Sequence, residues 1–156
     1  MEKPANIKTA AAQKGQVRSD IKILLVDDRE DNLFSIETIL EKDNYTIVKA
    51  RSGREALKVL LHQQDFSLIL MDVQMPELNG FETATIIYER DKLKNIPIIF
   101  ITGHPDDAAR TRAMNAGAVA FLSKPINHDR LVGYLGSALK TTGHQGAHVA
   151  TSPLRP

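Results

Sequence analysis

A chain of 156 residues with 20 basic and 19 acidic side chains has room for one domain with a sizeable core, and its near-neutral balance offers nothing to nucleic acid or an anionic membrane. At 42% hydrophobic and 25% charged it is composed like an ordinary globular protein, and the lack of cysteine excludes disulfides, zinc thiolates and thiol catalysis. No apolar run approaches the roughly 18–20 residues of a membrane span, and residues 1–20 lack the apolar centre of a signal peptide, so a cytoplasmic protein without membrane contact is expected.

Residues 1–20 and 141–156 show no hydrophobic period and read as disordered tails. His144 and His148 have the spacing of a helical metal pair, but Gly143 and Gly146 argue against a helix there. Between the tails, short apolar runs alternate with helix-length amphipathic segments. Ile21 to Val26 reads as a strand ending at Asp27 and Asp28. Residues 31–42 follow as a helix with Leu33, Ile36, Ile39 and Leu40 at helical spacing. Tyr45 to Ala50 is a second strand. Ser52 to Glu55 is a capping-box pattern opening a helix to about Leu61.

Leu68 to Met71 is the third strand, and Phe81, Ala84, Ile87 and Tyr88 mark the next helix. Ile98 to Thr102 is the fourth strand. Pro105 is expected to open a helix that Gly117 closes. Val119 to Leu122 is the fifth strand, and 127–140 the last helix, weakened by Gly133 and Gly136 at about 1 kcal/mol each. Five strands alternating with five helices predict a doubly wound α/β domain over 21–140, a parallel sheet covered on both faces. Ligands of such sheets bind beyond the carboxyl ends of the strands.

The polar residues gather at those ends. Asp27 and Asp28 close strand one, Asp72 strand three and Thr102 strand four, while Lys124 follows strand five. Any one of these alone would read as a cap, a packed hydroxyl or a solvated charge. Together they demand partners, because two carboxylates about 4 Å apart repel by roughly 4 kcal/mol at an effective dielectric near 20. Lys124 offsets one charge, and a divalent cation would offset more. An all-oxygen donor set favours Mg²⁺ (or Mn²⁺) over zinc.

The acidic pair in VDD, the LMDVQMPELNG, FITG and SKP segments, and their order resemble the response-regulator receiver domain of two-component signalling. The spacings suit it: 45 residues from Asp27 to Asp72, 30 on to Thr102 and 22 on to Lys124. The resemblance implies a flavodoxin-like fold with strand order 2-1-3-4-5. Asp72 would be the phosphoacceptor, taking a phosphoryl group from a histidine kinase or a histidine phosphotransfer protein. Asp28 and Asp72 would bind Mg²⁺ directly, Asp27 through water, with the backbone carbonyl of Gln74 as a further ligand. Lys124 would pair with Asp72 and later with the phosphoryl group. Thr102 would sense that group, and Phe121, three residues before the lysine, would move into the space Thr102 vacates. Gln74 and His104 border the site and would tune the lifetime of the aspartyl phosphate. The Lys124–Pro125 peptide would be cis.

The same resemblance implies a signalling domain that assists its own phosphorylation and dephosphorylation rather than an enzyme acting on other substrates. Its output would be the surface of the fourth helix, fifth strand and fifth helix. That surface would serve an unknown downstream protein or a phosphorylation-dependent homodimer, with no direct nucleic-acid contact. An alternative is an Asp-nucleophile, Mg²⁺-dependent phosphatase of the haloacid-dehalogenase kind, but that family places its nucleophile after strand one in an Asp-x-Asp pattern, and here the pair is adjacent. Neither nucleotide-binding glycine motif, G-x-x-x-x-G-K-[ST] or G-x-G-x-x-G, occurs. Seven alanines precede Ile96 and nine fall in the shorter remainder. The first stretch resembles receivers within hybrid kinases and the second those of DNA-binding regulators, so a receiver piece of a hybrid kinase or an engineered chimera is a further alternative.

Overall fold

The computed structural model describes residues 21–104 and 106–143. Pro105, His144, His148 and both expected tails, apart from 141–143, lie outside the described residues. Within them the chain alternates β1 (Lys22–Val26), α1 (Glu30–Glu41), β2 (Thr46–Ala50), α2 (Gly53–His62), β3 (Leu68–Asp72), α3 (Gly80–Tyr88), β4 (Ile98–Thr102), α4 (Asp107–Asn115), β5 (Ala120–Ser123) and α5 (His128–Gly143). The strands form one parallel sheet in the order β2-β1-β3-β4-β5, as the resemblance implied.

Strand alternation sorts the core into two layers. Leu24, Val26, Ile69, Met71, Ile98, Phe100 and Phe121 face α2, α3 and α4. Ile23, Leu25, Leu68, Leu70, Ile99, Ile101 and Leu122 face α1 and α5. β3 and β4 are buried along their whole length, which is why they read as unbroken apolar runs rather than as alternating patterns. α1 buries Leu33, Ile36 and Leu40 on one stripe, with Ile39 at its edge. Fully burying each such aliphatic side chain contributes about 1.5–3 kcal/mol.

Local chemistry sets most boundaries. Ser52 caps α2 by accepting from the Glu55 N–H, but the Glu55 carboxylate reaches back to the N–H of Arg51, so the expected box is displaced by one residue on its return bond. A complete capping box starts α3, where Asn79 accepts from the Glu82 N–H and Glu82 accepts from the Asn79 N–H. Gly117, at φ +91°, ends α4 in a Schellman turn. Its N–H donates to the Met114 carbonyl and that of Ala118 to the Ala113 carbonyl. A Cβ at Gly117 would also press on the Tyr88 ring at 2.9 Å. Asp106 caps the start of α4, accepting from the Ala109 N–H. α5 runs through Gly133 and Gly136, as expected, and continues to Gly143 instead of stopping at 140.

Candidate functional site

The loops after β1, β3 and β5 open at one edge of the sheet. Asp27 and Asp72 sit there with only 1% and 4% of their surfaces exposed. Asp27 is held from several sides. Its Oδ1 accepts from the backbone N–H of Arg29 at 3.0 Å and from the Asn32 side-chain amide at 3.3 Å, and its Oδ2 faces the Lys124 ammonium at 3.2 Å. The same ammonium lies 3.2 Å from Asp72 Oδ1. Lys124 thus bridges two buried carboxylates, where the sequence had suggested Asp72 alone.

Asp28 completes a triangle: one carboxylate oxygen from each of Asp27, Asp28 and Asp72 lies within 4.8 Å of the others. No described N–H or O–H donates to the Asp28 carboxylate, and none donates to the backbone carbonyl of Gln74, whose side chain is exposed. One ammonium cannot balance three acids. Burial and then repulsion from Asp27 push the Asp72 carboxyl up from 3.8 to about 6, despite the opposing pull of Lys124. A hard cation with oxygen ligands fits this excess charge and these free oxygens.

Glycine makes the loop after Asp72 possible. Gly80 donates its N–H to the Val73 carbonyl at 2.8 Å, and a Cβ at position 80 would collide with the Asp72 carbonyl. Pro76 lies in that loop, and Glu77 turns it at φ 68°. The Lys124–Pro125 peptide is cis.

Thr102 lies beside these groups without joining them. It is 1% exposed, its carbonyl accepts from the Lys124 backbone N–H at 2.8 Å, and its neighbour Ile101 is in register with Asp72. Its hydroxyl accepts from the backbone N–H of His104 at 3.0 Å, and among the described residues no bond links it to the three carboxylates. The His104 side chain is exposed at the rim of an open cleft of about 530 Å³, which is also lined by Gln74, Met75, Phe81, Thr102 and Arg112. Phe121 is buried in the core, in register with Phe100. Gly103 has open space where a Cβ would stand.

Residues 23–135 match the family described as the response regulator receiver domain. The chain belongs to that family. The receiver is similar to the polar-differentiation response regulator DivK of Brucella anthropi, with 34% identity over 121 residues, 74% of this chain and 97% of that one. DivK of Brucella ovis is 33% identical over 120 residues, with the same coverage. Among solved structures, the chemotaxis protein CheY4 of Vibrio cholerae superposes with a TM-score of 0.72 at 29% identity, covering 76% of this receiver and 98% of that chain. A CheY-like receiver from Methanospirillum hungatei JF-1 gives 0.74 at 28% identity, covering 81% and 98%. One continuous match spans the change in alanine content at Ile96. This is a receiver domain of two-component signalling, a class that works with kinases or phosphotransfer partners, and no helix among the described residues is long and apolar enough to cross a membrane.

Sequence reasoning missed two supports of the site. Asn32 holds Asp27 across five residues, a turn contact that no motif announces. The Asn79–Glu82 box that fixes the end of the Asp72 loop was legible as Asn-x-x-Glu before an apolar run.

Proposed function

We propose that this receiver is a phospho-accepting switch with Asp72 as its acceptor. The observation that carries the reading is the gathering of three carboxylates within 4.8 Å, two of them sharing the Lys124 ammonium, with the Asp72 carboxyl pushed up by its burial. An Asp72 oxygen attacks the phosphorus of a phosphohistidine on a kinase or phosphotransfer partner. The P–N bond breaks, its electron pair returns to the imidazole, and that nitrogen is reprotonated. A carboxylate is a weak nucleophile, so positioning and charge stabilisation carry the rate.

Asp27, Asp28, Asp72 and the Gln74 carbonyl would hold a divalent cation, Mg²⁺ or Mn²⁺. When bound, it neutralises charge gathering on the transferring group. Lys124 stands ready to follow one phosphoryl oxygen as Asp72 gives up its own charge, while Asp27 keeps the ammonium in place. Gln74 and His104, at the mouth of the neighbouring cleft, meet the water that later hydrolyses the aspartyl phosphate, and so set its lifetime. The domain assists its own phosphorylation and dephosphorylation and acts on no separate substrate. Its product is a changed surface on α4, β5 and α5, offered to a downstream protein or to a second copy.

Incubation with Mg²⁺ and acetyl phosphate, followed by intact mass and peptide mapping, tests the reading. One added phosphoryl group on the peptide containing Asp72 is expected. A label on another residue, or none in the presence of Mg²⁺, overturns it.

A further inference from the structure

α4 has a thin attachment to the sheet. Its sequence, DAARTRAMN, contributes one buried side chain, Ala113, with Ala109 and Ala116 partly covered at its margins, while Met114 is exposed. The remaining hold comes from two charges. The Arg110 guanidinium lies over the Phe121 ring at 5.4 Å, and that of Arg112 over the Phe81 ring at 4.6 Å. Residues two apart on a helix project about 200° apart, so the two arginines reach down opposite flanks of α4. Both rings belong to one buried cluster: Phe81 meets Phe100 edge-on at 4.9 Å, and Phe100 is in register with Phe121.

Phe121 has no hydroxyl, so the electron-rich face of its ring is the feature by which a cation can grip it. A planar guanidinium suits that face, and an ammonium suits it less well. We propose that Arg110 is a positioning residue for Phe121, its guanidinium, lying over the ring face, holding the ring in the buried position. The signalling consequence rests on the reading of Asp72 as phosphoacceptor, but the positioning does not. Thr102 accepts from the His104 N–H, and His104 leads through the Asp106 cap into the first turn of α4, which carries Arg110. A Thr102 hydroxyl that swings to donate to a phosphoryl oxygen keeps accepting from His104 and draws that turn with it. The guanidinium then slides relative to the Phe121 ring and lets it follow into the space that Thr102 vacates.

The test labels the phenylalanine rings of the full chain for NMR and assigns Phe121 from the signal lost in Phe121→Leu. Arg110→Gln, free of any phosphoryl mimic, is expected to raise the solvent-exposed rotamer of Phe121 about two- to five-fold. Arg110→Lys restores part of the wild-type population, and Arg112→Gln moves the Phe81 signal instead. Identical Phe121 populations in wild type and Arg110→Gln overturn the proposal, as does an equal change in Arg112→Gln, which a general loosening of α4 would produce. If Arg110→Gln does not fold, Arg110→Lys against wild type carries the comparison, and matching Phe121 populations overturn it. A beryllofluoride arm separates the two readings. No response at Asp72 in wild type sinks the acceptor assignment, while the mimic-free comparison still decides Arg110.

Discussion

β1 and β3 deliver Asp27 and Asp72 from the middle of the sheet, behind strands buried from Ile23 to Val26 and from Leu68 to Met71. β4 and β5 deliver Thr102 and Phe121 beside α4, a helix that buries one alanine. Both regions share one sheet edge, yet they are held differently. The acids sit in a frame of packed strands and several hydrogen bonds to Asp27. The neighbouring helix is held by small side chains and two guanidiniums lying on rings. Phosphoryl chemistry needs groups fixed to within fractions of an ångström, whereas a readout needs an element that a few kcal/mol can shift. The difference between the two regions follows that division of labour.

The largest effect is expected in the first region. Asp72→Asn removes the nucleophile with little change in volume, and intact-mass analysis after acetyl phosphate and Mg²⁺ should find no added phosphoryl group on a folded protein. Labelling at the wild-type rate would break the assignment.

Lys124→Ala comes next. It strips two buried carboxylates of their shared cation, and should cost the metal-free fold about 2–3 kcal/mol in urea denaturation, less than a fully enclosed pair because Lys124 remains 22% exposed. Mg²⁺ should return most of this loss. A loss that Mg²⁺ leaves untouched would mean that the lysine matters for packing rather than charge.

Asp72 sets a pH signature of similar kind. Its folded pKa, about 6, lies above the ordinary 3.8, so its contribution to stability is fully present below 3.8 and is lost as pH rises through 6. Metal-free Asp72→Asn should therefore exceed wild type in stability by about 2 kcal/mol at pH 7.5, after allowance for screening at the open mouth, with the gap closing towards pH 4. Parallel stability curves for the two proteins would remove the excess-charge argument for a cation.

How much of this the sequence disclosed follows from the range of each interaction. Apolar runs in β1, β3 and β4 are long enough and buried enough to name themselves, and Asp27, Asp72, Thr102 and Lys124 each end or follow a strand. Once the strands are parallel, those side chains must meet near one edge. The cis bond and the strand order came from resemblance, since neither spacing nor composition specifies them. Arg110 and Arg112 stayed hidden because charges on a polar helix read as a solvated face. Only the folded neighbours, β5 and α3, reveal rings beneath them. α5 was legible across Gly133 and Gly136, and the fully buried Leu131 and Leu135 anchor it to the sheet. Its last residues, 141–143, were missed because Thr-Thr-Gly carries no apolar period to announce a helix.

A smaller effect sharpens the contrast from the packed side. Asn79→Ala breaks the capping box of α3 and should cost about 1 kcal/mol by thermal denaturation. Because α3 buries Phe81, Ala84 and Ile87, the substitution should leave the Phe121 ring where it is. A Phe121 shift equal to that of Arg110→Gln would show the packed and the loosely held helices to be one mechanical unit.

Backbone amide NMR of the full chain, on adding Mg²⁺ and beryllofluoride, decides whether chemistry at Asp72 is reported through α4 or through the whole domain. Shifts are predicted at Asp72 and Lys124, at Thr102 and His104, along α4 and at Phe121, with α2 and the second half of α3 unchanged. Shifts confined to the acids and Lys124, or spread equally into α2, would show that α4 does not carry the signal.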